Sequence, residues 1–174
     1  MSAALVERVT GLIHDVPDYP NPGVVFKDIT PLLADGDAFG QVVRHLAAAA
    51  PAVDLVVGME ARGFILGAPV AFELGAGFVP VRKEGKLPRR TLAGAYDLEY
   101  GSAVLEVHAD TMVPGARVLI VDDVLATGGT AAATVELLER AGAVVVGLSF
   151  LMELTFLEGR RRLAGRDLDV LVTY

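Results

Sequence analysis

The sequence predicts an α/β fold: a parallel sheet with helices on both faces. Three observations carry this. Short apolar runs at residues 55–59, 77–81, 117–121 and 144–152 are nearly continuous rather than alternating, as expected of strands buried on both sides. Helical spacing fills the intervals between several of these runs, and strand–helix alternation is the signature of a parallel sheet. Several of the 19 glycines fall at strand-to-helix junctions, where a backbone turns sharply or approaches a ligand.

In chain order, Leu5, Val6, Val9, Leu12 and Ile13 recur at helical spacing and predict an amphipathic helix over 3–14. Pro17, Pro20 and Pro22 are expected to exclude regular structure from residues 15–23. A second helix is expected to start with Asp37 as its cap and to run through Val43 to residue 49. Residues 55–59 form the first buried strand, 63–74 its helix and 77–81 the next strand. Residues 82–91 are highly charged, have no apolar period and predict a loop. Residues 103–108 alternate weakly, as an edge strand does. Residues 117–121 are a third buried strand with a helix over 128–140, 144–152 a fourth, and 169–172 a last short one. No repeat or linker divides the chain, so 174 residues are expected to form one domain whose core needs no disulfides.

Composition narrows the function. Fifteen basic against 22 acidic residues give a net charge of -7, which argues against non-specific nucleic-acid binding. No apolar run approaches the ~20 residues that span a bilayer, and no signal-peptide layout surrounds Glu7 and Arg8. With no cysteine, neither a disulfide framework nor a Cys-based metal site can form; a cytoplasmic location suits that composition.

The most informative segment is VLIVDDVLATGGT, residues 118–130. A buried strand ends in Asp122 and Asp123, and a loop of small and hydroxyl residues then opens onto a helix. Ligands of open parallel sheets bind beyond the carboxyl ends of the strands. Loop amides over residues 126–130, with a helix N-terminus behind them, offer a seat for an anion, and Thr127 and Thr130 add hydroxyl donors. The acids would repel a phosphate, so they are placed for hydroxyls about one sugar away. A ribose 5-phosphate fits both halves.

Residues 118–130 resemble the phosphoribosyl pyrophosphate signature of the type I phosphoribosyltransferases along their whole length, with Ala126, Thr127, Gly128, Gly129 and Thr130 as the phosphate loop. Three further blocks match that family. GMEARGF, residues 58–64, resembles its pyrophosphate loop, which implies a cis peptide at Glu60–Ala61 and an anion-gripping Arg62. VRKEGKLPRRT, residues 81–91, holds a third of all Lys and Arg and resembles the mobile catalytic loop, with Arg82, Lys83 and Lys86 facing pyrophosphate. DYPNPGVVFKDITPLL, residues 18–33, resembles the hood of the adenine-using branch.

That resemblance implies a type I phosphoribosyltransferase fold, with residues 1–35 contributing a small N-terminal hood. Phe26 would stack on the purine, the backbone of Val25 and Lys27 would read its edge, and Leu154 would pack on the other face. Glu99 aligns with a proton-transfer carboxylate and Tyr100 with its neighbour. Arg62, Lys83, Glu99, Asp122 and Asp123 would be catalytic. The implied reaction joins adenine to phosphoribosyl pyrophosphate, giving AMP and pyrophosphate in purine salvage. Mg²⁺ would be held mainly by the pyrophosphate, ribose hydroxyls and water, with no metal site built from protein ligands alone. A homodimer is implied; nucleic acid and membrane are not partners. Two alternatives stay open: a non-catalytic regulator that senses the activated sugar, and a transferase for another base such as xanthine.

Overall fold

The computed structural model describes residues 3–97 and 102–174. The chain separates into two compact units, Met1–His45 and Leu46–Tyr174.

In the first unit, α1 (Ala3–Gly11) buries Leu5 and Val9, one helical turn apart. It ends earlier than its apolar spacing suggests, because residues 14–17 are needed elsewhere. β1 (His14–Pro17) pairs antiparallel with β2 (Val25–Asp28), from His14↔Asp28 to Pro17↔Val25. The expectation that prolines exclude regular structure here is therefore wrong. Pro17 is the last residue of a two-stranded ribbon, where a missing N–H costs no essential ladder bond. The turn contains a cis Tyr19–Pro20 bond and Asp18 at φ 58°, and the Asp18 carboxylate accepts from the Gly23 amide at 2.7 Å. A short unpredicted helix, α2 (Thr30–Ala34), carries a proline in its first turn. α3 (Gly36–Ala49) follows, its last residues from Leu46 on belonging to the second unit. Its cap is Asp35 rather than Asp37: Asp35 Oδ1 accepts from the Ala38 amide at 3.0 Å. Asp37 lies in the first turn and pairs with Arg8.

The second unit is built on a seven-stranded sheet. Its strands are β3 (Leu55–Met59), β4 (Gly77–Lys83), β5 (Thr91–Asp97), β6 (Ser102–His108), β7 (Arg117–Leu125), β8 (Val144–Glu153) and β9 (Leu168–Thr173), in the order β5-β6-β4-β3-β7-β8-β9. β4, β3, β7, β8 and β9 pair in parallel. β6 pairs antiparallel with both β4 and β5. The sheet is thus mostly, not wholly, parallel, and 102–108 is an interior strand; the edge is the unpredicted β5. β4 also takes in Arg82 and Lys83, so the charged loop shrinks to residues 84–90. α4 (Arg62–Leu74) and α5 (Gly129–Arg140) lie where the helical spacing put them.

β3–α4–β4 winds in one direction along the sheet and β7–α5–β8 in the other. Right-handed crossovers therefore place α4 and α5 on opposite faces. The chain leaves the adjacent strands β3 and β7 in opposite senses, and that switch point opens a crevice past their carboxyl ends. Val57, Met59, Val118 and Ile120, all essentially inaccessible, anchor these two strands in the core.

Candidate active site

Asp122 and Asp123 lie among the last residues of β7. The chain then turns, and Gly128 caps α5 at φ 77°, a left-handed conformation that glycine adopts without penalty. No side chain caps this N-terminus, which leaves its amides to an anion. Glu60, Ala61 and Arg62 leave β3 alongside, and the Glu60–Ala61 peptide is cis, as the family resemblance implied. Together these segments wall a cavity of about 230 Å³, with Asp122, Asp123, Ala126, Thr127, Gly128 and Thr130 on its β7 side. Gly63 lets the two walls meet: a Cβ there would stand 2.7 Å from Asp122 Oδ1 and 2.8 Å from the Val121 carbonyl.

The acid pair is electrostatically costly. Burial pushes the Asp122 carboxyl well up, and the adjacent Asp123 charge adds to this. Burial also raises Asp123, while the Arg62 charge pulls it back down. Arg62 Nε lies 2.9 Å from Asp123 Oδ2, with the Asp123 side chain only 4% exposed. The contact is close enough for an ion pair, yet its direction is wrong for a hydrogen bond, and that buried oxygen accepts none. Asp122 Oδ1 accepts from the Asp123 amide at 2.9 Å. A buried carboxylate oxygen without a hydrogen bond from the protein is expensive, and such an oxygen is able to accept from a hydroxyl.

The basic residues converge on one acid that sequence reasoning did not single out. Glu60 accepts from Lys86 Nζ, from Arg82 Nε at 3.2 Å and from the Lys83 amide at 3.1 Å. Arg82 Nη1 also donates to the Lys86 carbonyl at 3.0 Å. Burial pushes the Glu60 carboxyl up, but the Lys86, Lys83 and Arg82 bonds outweigh it and hold it below its ordinary value. Lys83 and Lys86 are exposed and do not line the cavity itself; they reach it through Glu60, which does. The signal in the sequence was an acid inside a block that otherwise resembles an anion-binding loop.

Leu154 follows β8, and its amide donates to the Leu125 carbonyl at 2.9 Å, at the end of β7. Val25, Phe26 and Lys27 are in β2 of the first unit: Val25 is exposed, the Phe26 ring meets Tyr19 edge-on at 5.2 Å, and Lys27 Nζ pairs with Asp15 at 2.6 Å. Gly129 and Thr130 open α5. Glu99 and Tyr100 lie outside the described residues. Among the described residues no cluster of three or more His, Asp or Glu is arranged to hold a metal.

An acid pair beside an uncapped helix N-terminus, at the switch point of a parallel sheet, defines a protein that handles a sugar phosphate. The phosphoribosyl transferase domain model matches residues 32–169. The chain is 62% identical to adenine phosphoribosyltransferase of Streptomyces coelicolor, over 97% of this chain and 96% of that protein. The crystal structure of the Rhodothermus marinus adenine phosphoribosyltransferase matches with a TM-score of 0.95 at 50% identity, covering 99% of this chain and 100% of that one. The Saccharomyces cerevisiae enzyme, crystallised with adenine and an imino-altritol bisphosphate, matches with a TM-score of 0.91 at 38% identity, covering 98% and 99%. The chain belongs to the phosphoribosyltransferase family, in its adenine phosphoribosyltransferase branch.

Proposed function

We propose that this chain is a pentosyltransferase that joins adenine to 5-phosphoribosyl 1-pyrophosphate, yielding AMP and pyrophosphate for purine salvage. The observation that carries this reading is the shared cavity of the carboxylate pair and the loop at residues 126–130. The loop amides and the Thr127 and Thr130 hydroxyls hold the 5-phosphate. Asp122 and Asp123 accept from the ribose hydroxyls and offset the positive charge that grows on the ring. The purine nitrogen forms its bond to the anomeric carbon as the bond to pyrophosphate breaks. Arg62, Arg82, Lys83 and Lys86 receive the leaving charge, and loop closure over residues 84–90 excludes water.

Val25, Phe26, Lys27 and Leu154 are assigned to the base, Glu99 to its departing proton and Tyr100 to the same site, with residues 1–35 as a hood and the whole chain as one domain. A fixed amide and carbonyl at Val25 and Lys27 would favour adenine, because the wrong base leaves buried groups unpaired, a discrimination of up to about 10⁴-fold. Mg²⁺ fits the donor set: two adjacent carboxylates without a protein cage suit a hard cation bound chiefly through substrate oxygens and water. When bound, it supplies charge neutralisation to the pyrophosphate. Nothing in the chemistry needs a covalent enzyme intermediate; positioning and charge stabilisation suffice. A homodimer in the cytoplasm is part of the same reading.

The test is a panel of nucleobases with the activated sugar and Mg²⁺, monitored for nucleotide. Adenine alone should turn over efficiently. Equal turnover of hypoxanthine would contradict the assignment of Val25 and Lys27, and no turnover of any base would contradict the reaction.

A further inference from the structure

Beyond the motif, the 5-phosphate loop leans on a distant glycine. β8 accompanies β7 to its last residue, Leu125↔Glu153, and the two chains then leave the sheet. They meet again at the loop. A Cβ built on Gly159 would overlap the Ala126 carbonyl oxygen and stand 3.0 Å from the Gly128 nitrogen. A Cβ on Gly128 would overlap the Gly159 carbonyl oxygen and stand 3.2 Å from the Gly159 Cα. The two backbones are in direct contact, with no room for a methyl group between them.

The segment that carries Gly159 is anchored. Thr155 donates to the Tyr174 carbonyl through its amide at 2.9 Å and its hydroxyl at 2.6 Å. Glu158 stands at φ 53°, reversing the chain between two 3₁₀ turns, Thr155–Leu157 and Gly159–Leu163. Arg160 Nε then donates to Glu153 Oε2 at 2.6 Å, and the Glu153 side chain is only 4% exposed. This ion pair ties the far side of the turn to the end of β8.

We propose that Gly159 is a positioning residue for the phosphate loop: its backbone is the floor that sets the height of residues 126–128, and Arg160–Glu153 fixes that floor. Gly159 does not touch substrate. It has no positive φ, so alanine there meets no backbone penalty of its own and acts only by pushing on Ala126 and Gly128. The inference rests on the loop being the phosphate seat. Displacing a loop by about an ångström at a site that works by positioning costs on the order of 100-fold in rate, and a phosphate that loses one amide donor binds about 10–100-fold more weakly.

The experiment is calorimetric binding of AMP and, separately, of pyrophosphate to the full chain and to Gly159→Ala and Arg160→Ala. For Gly159→Ala, AMP affinity should fall about 10–100-fold, the worth of one amide hydrogen bond to a charged phosphate, while pyrophosphate, assigned to Arg62 on the opposite wall and to Lys83 and Lys86, keeps its affinity. Arg160→Ala, with an exposed side chain, should fold and lose AMP affinity to a smaller extent, with Arg160→Lys recovering most of it. Unchanged AMP binding in both variants overturns the inference. So does a parallel loss of pyrophosphate binding, which marks a general structural defect. If Gly159→Ala does not fold, the Arg160 pair decides by the same criterion. A native chain that binds no AMP overturns instead the reading of the loop itself.

Discussion

Replacing Arg62 with alanine probes the electrostatic arrangement on which the site depends. The substitution strands Asp123, whose side chain is 4% exposed while that of Arg62 is 30% exposed. Breaking a fully buried ion pair from one side costs about 3–5 kcal/mol. Here the vacated arginine volume opens to water, so the smaller cost of stranding one buried polar group, about 1–3 kcal/mol, applies. In a chain of this length each kcal/mol shifts Tm by about 2–4 °C, so Tm should fall by roughly 2–12 °C at pH 8. The pH dependence fixes the cause. Burial raises the Asp123 carboxyl and Arg62 lowers it, so without Arg62 it rises further. The folded variant then binds a proton that the unfolded chain, with an ordinary carboxyl near ~3.9, has released. The penalty is full above the folded-state pKa and disappears as pH falls to the unfolded value. Thermal melts at pH 8 and pH 4.5 of the native chain, Arg62→Ala, Asp123→Asn and the double variant form the assay. The deficit should shrink at the lower pH and in the Asp123→Asn background. The same deficit in all conditions would refute the reasoning.

Asp123→Ala should cut turnover by orders of magnitude while its circular dichroism spectrum stays native; a near-normal rate would contradict its role toward the ribose hydroxyls. Burial and the neighbouring charge raise Asp122, so its ionisation costs stability at neutral pH. Asp122→Asn, which can still accept from the Asp123 amide, should therefore melt higher than the native chain at pH 8 and lose that advantage toward pH 4; a lower Tm at pH 8 would be contrary. Lys86→Ala should weaken product inhibition by pyrophosphate more than the KM for adenine, and an unchanged inhibition constant would speak against its assignment.

The parts of the molecule legible in sequence are those whose causes are local. The buried runs of β3, β7 and β8 announce themselves because both faces must be apolar. The acid pair and the loop proposed for the phosphate are contiguous along residues 122–130, so their adjacency needed no tertiary information. β5 escaped because Thr91–Asp97 mixes small and polar residues at a sheet edge, where one-sided burial leaves little periodic signal. β1 escaped because proline statistics count against strands, although a ribbon end tolerates proline. The cap of α3 was displaced by two residues because two acids compete there and only Asp35 reaches the Ala38 amide. The Glu60 hub and the Gly159 floor were not legible, since each depends on a contact between segments far apart in the chain. Sequence named the bases of the loop; only the fold brings three of their donors onto one carboxylate.

The central claim is that one sugar phosphate is held at both ends by elements of β7 and α5. A crystal structure of the chain with AMP tests it most directly. The phosphate should sit on the amides of residues 126–130, with the ribose hydroxyls within hydrogen-bond distance of Asp122 or Asp123. AMP bound with its phosphate elsewhere, or with its ribose turned away from both carboxylates, would contradict the account.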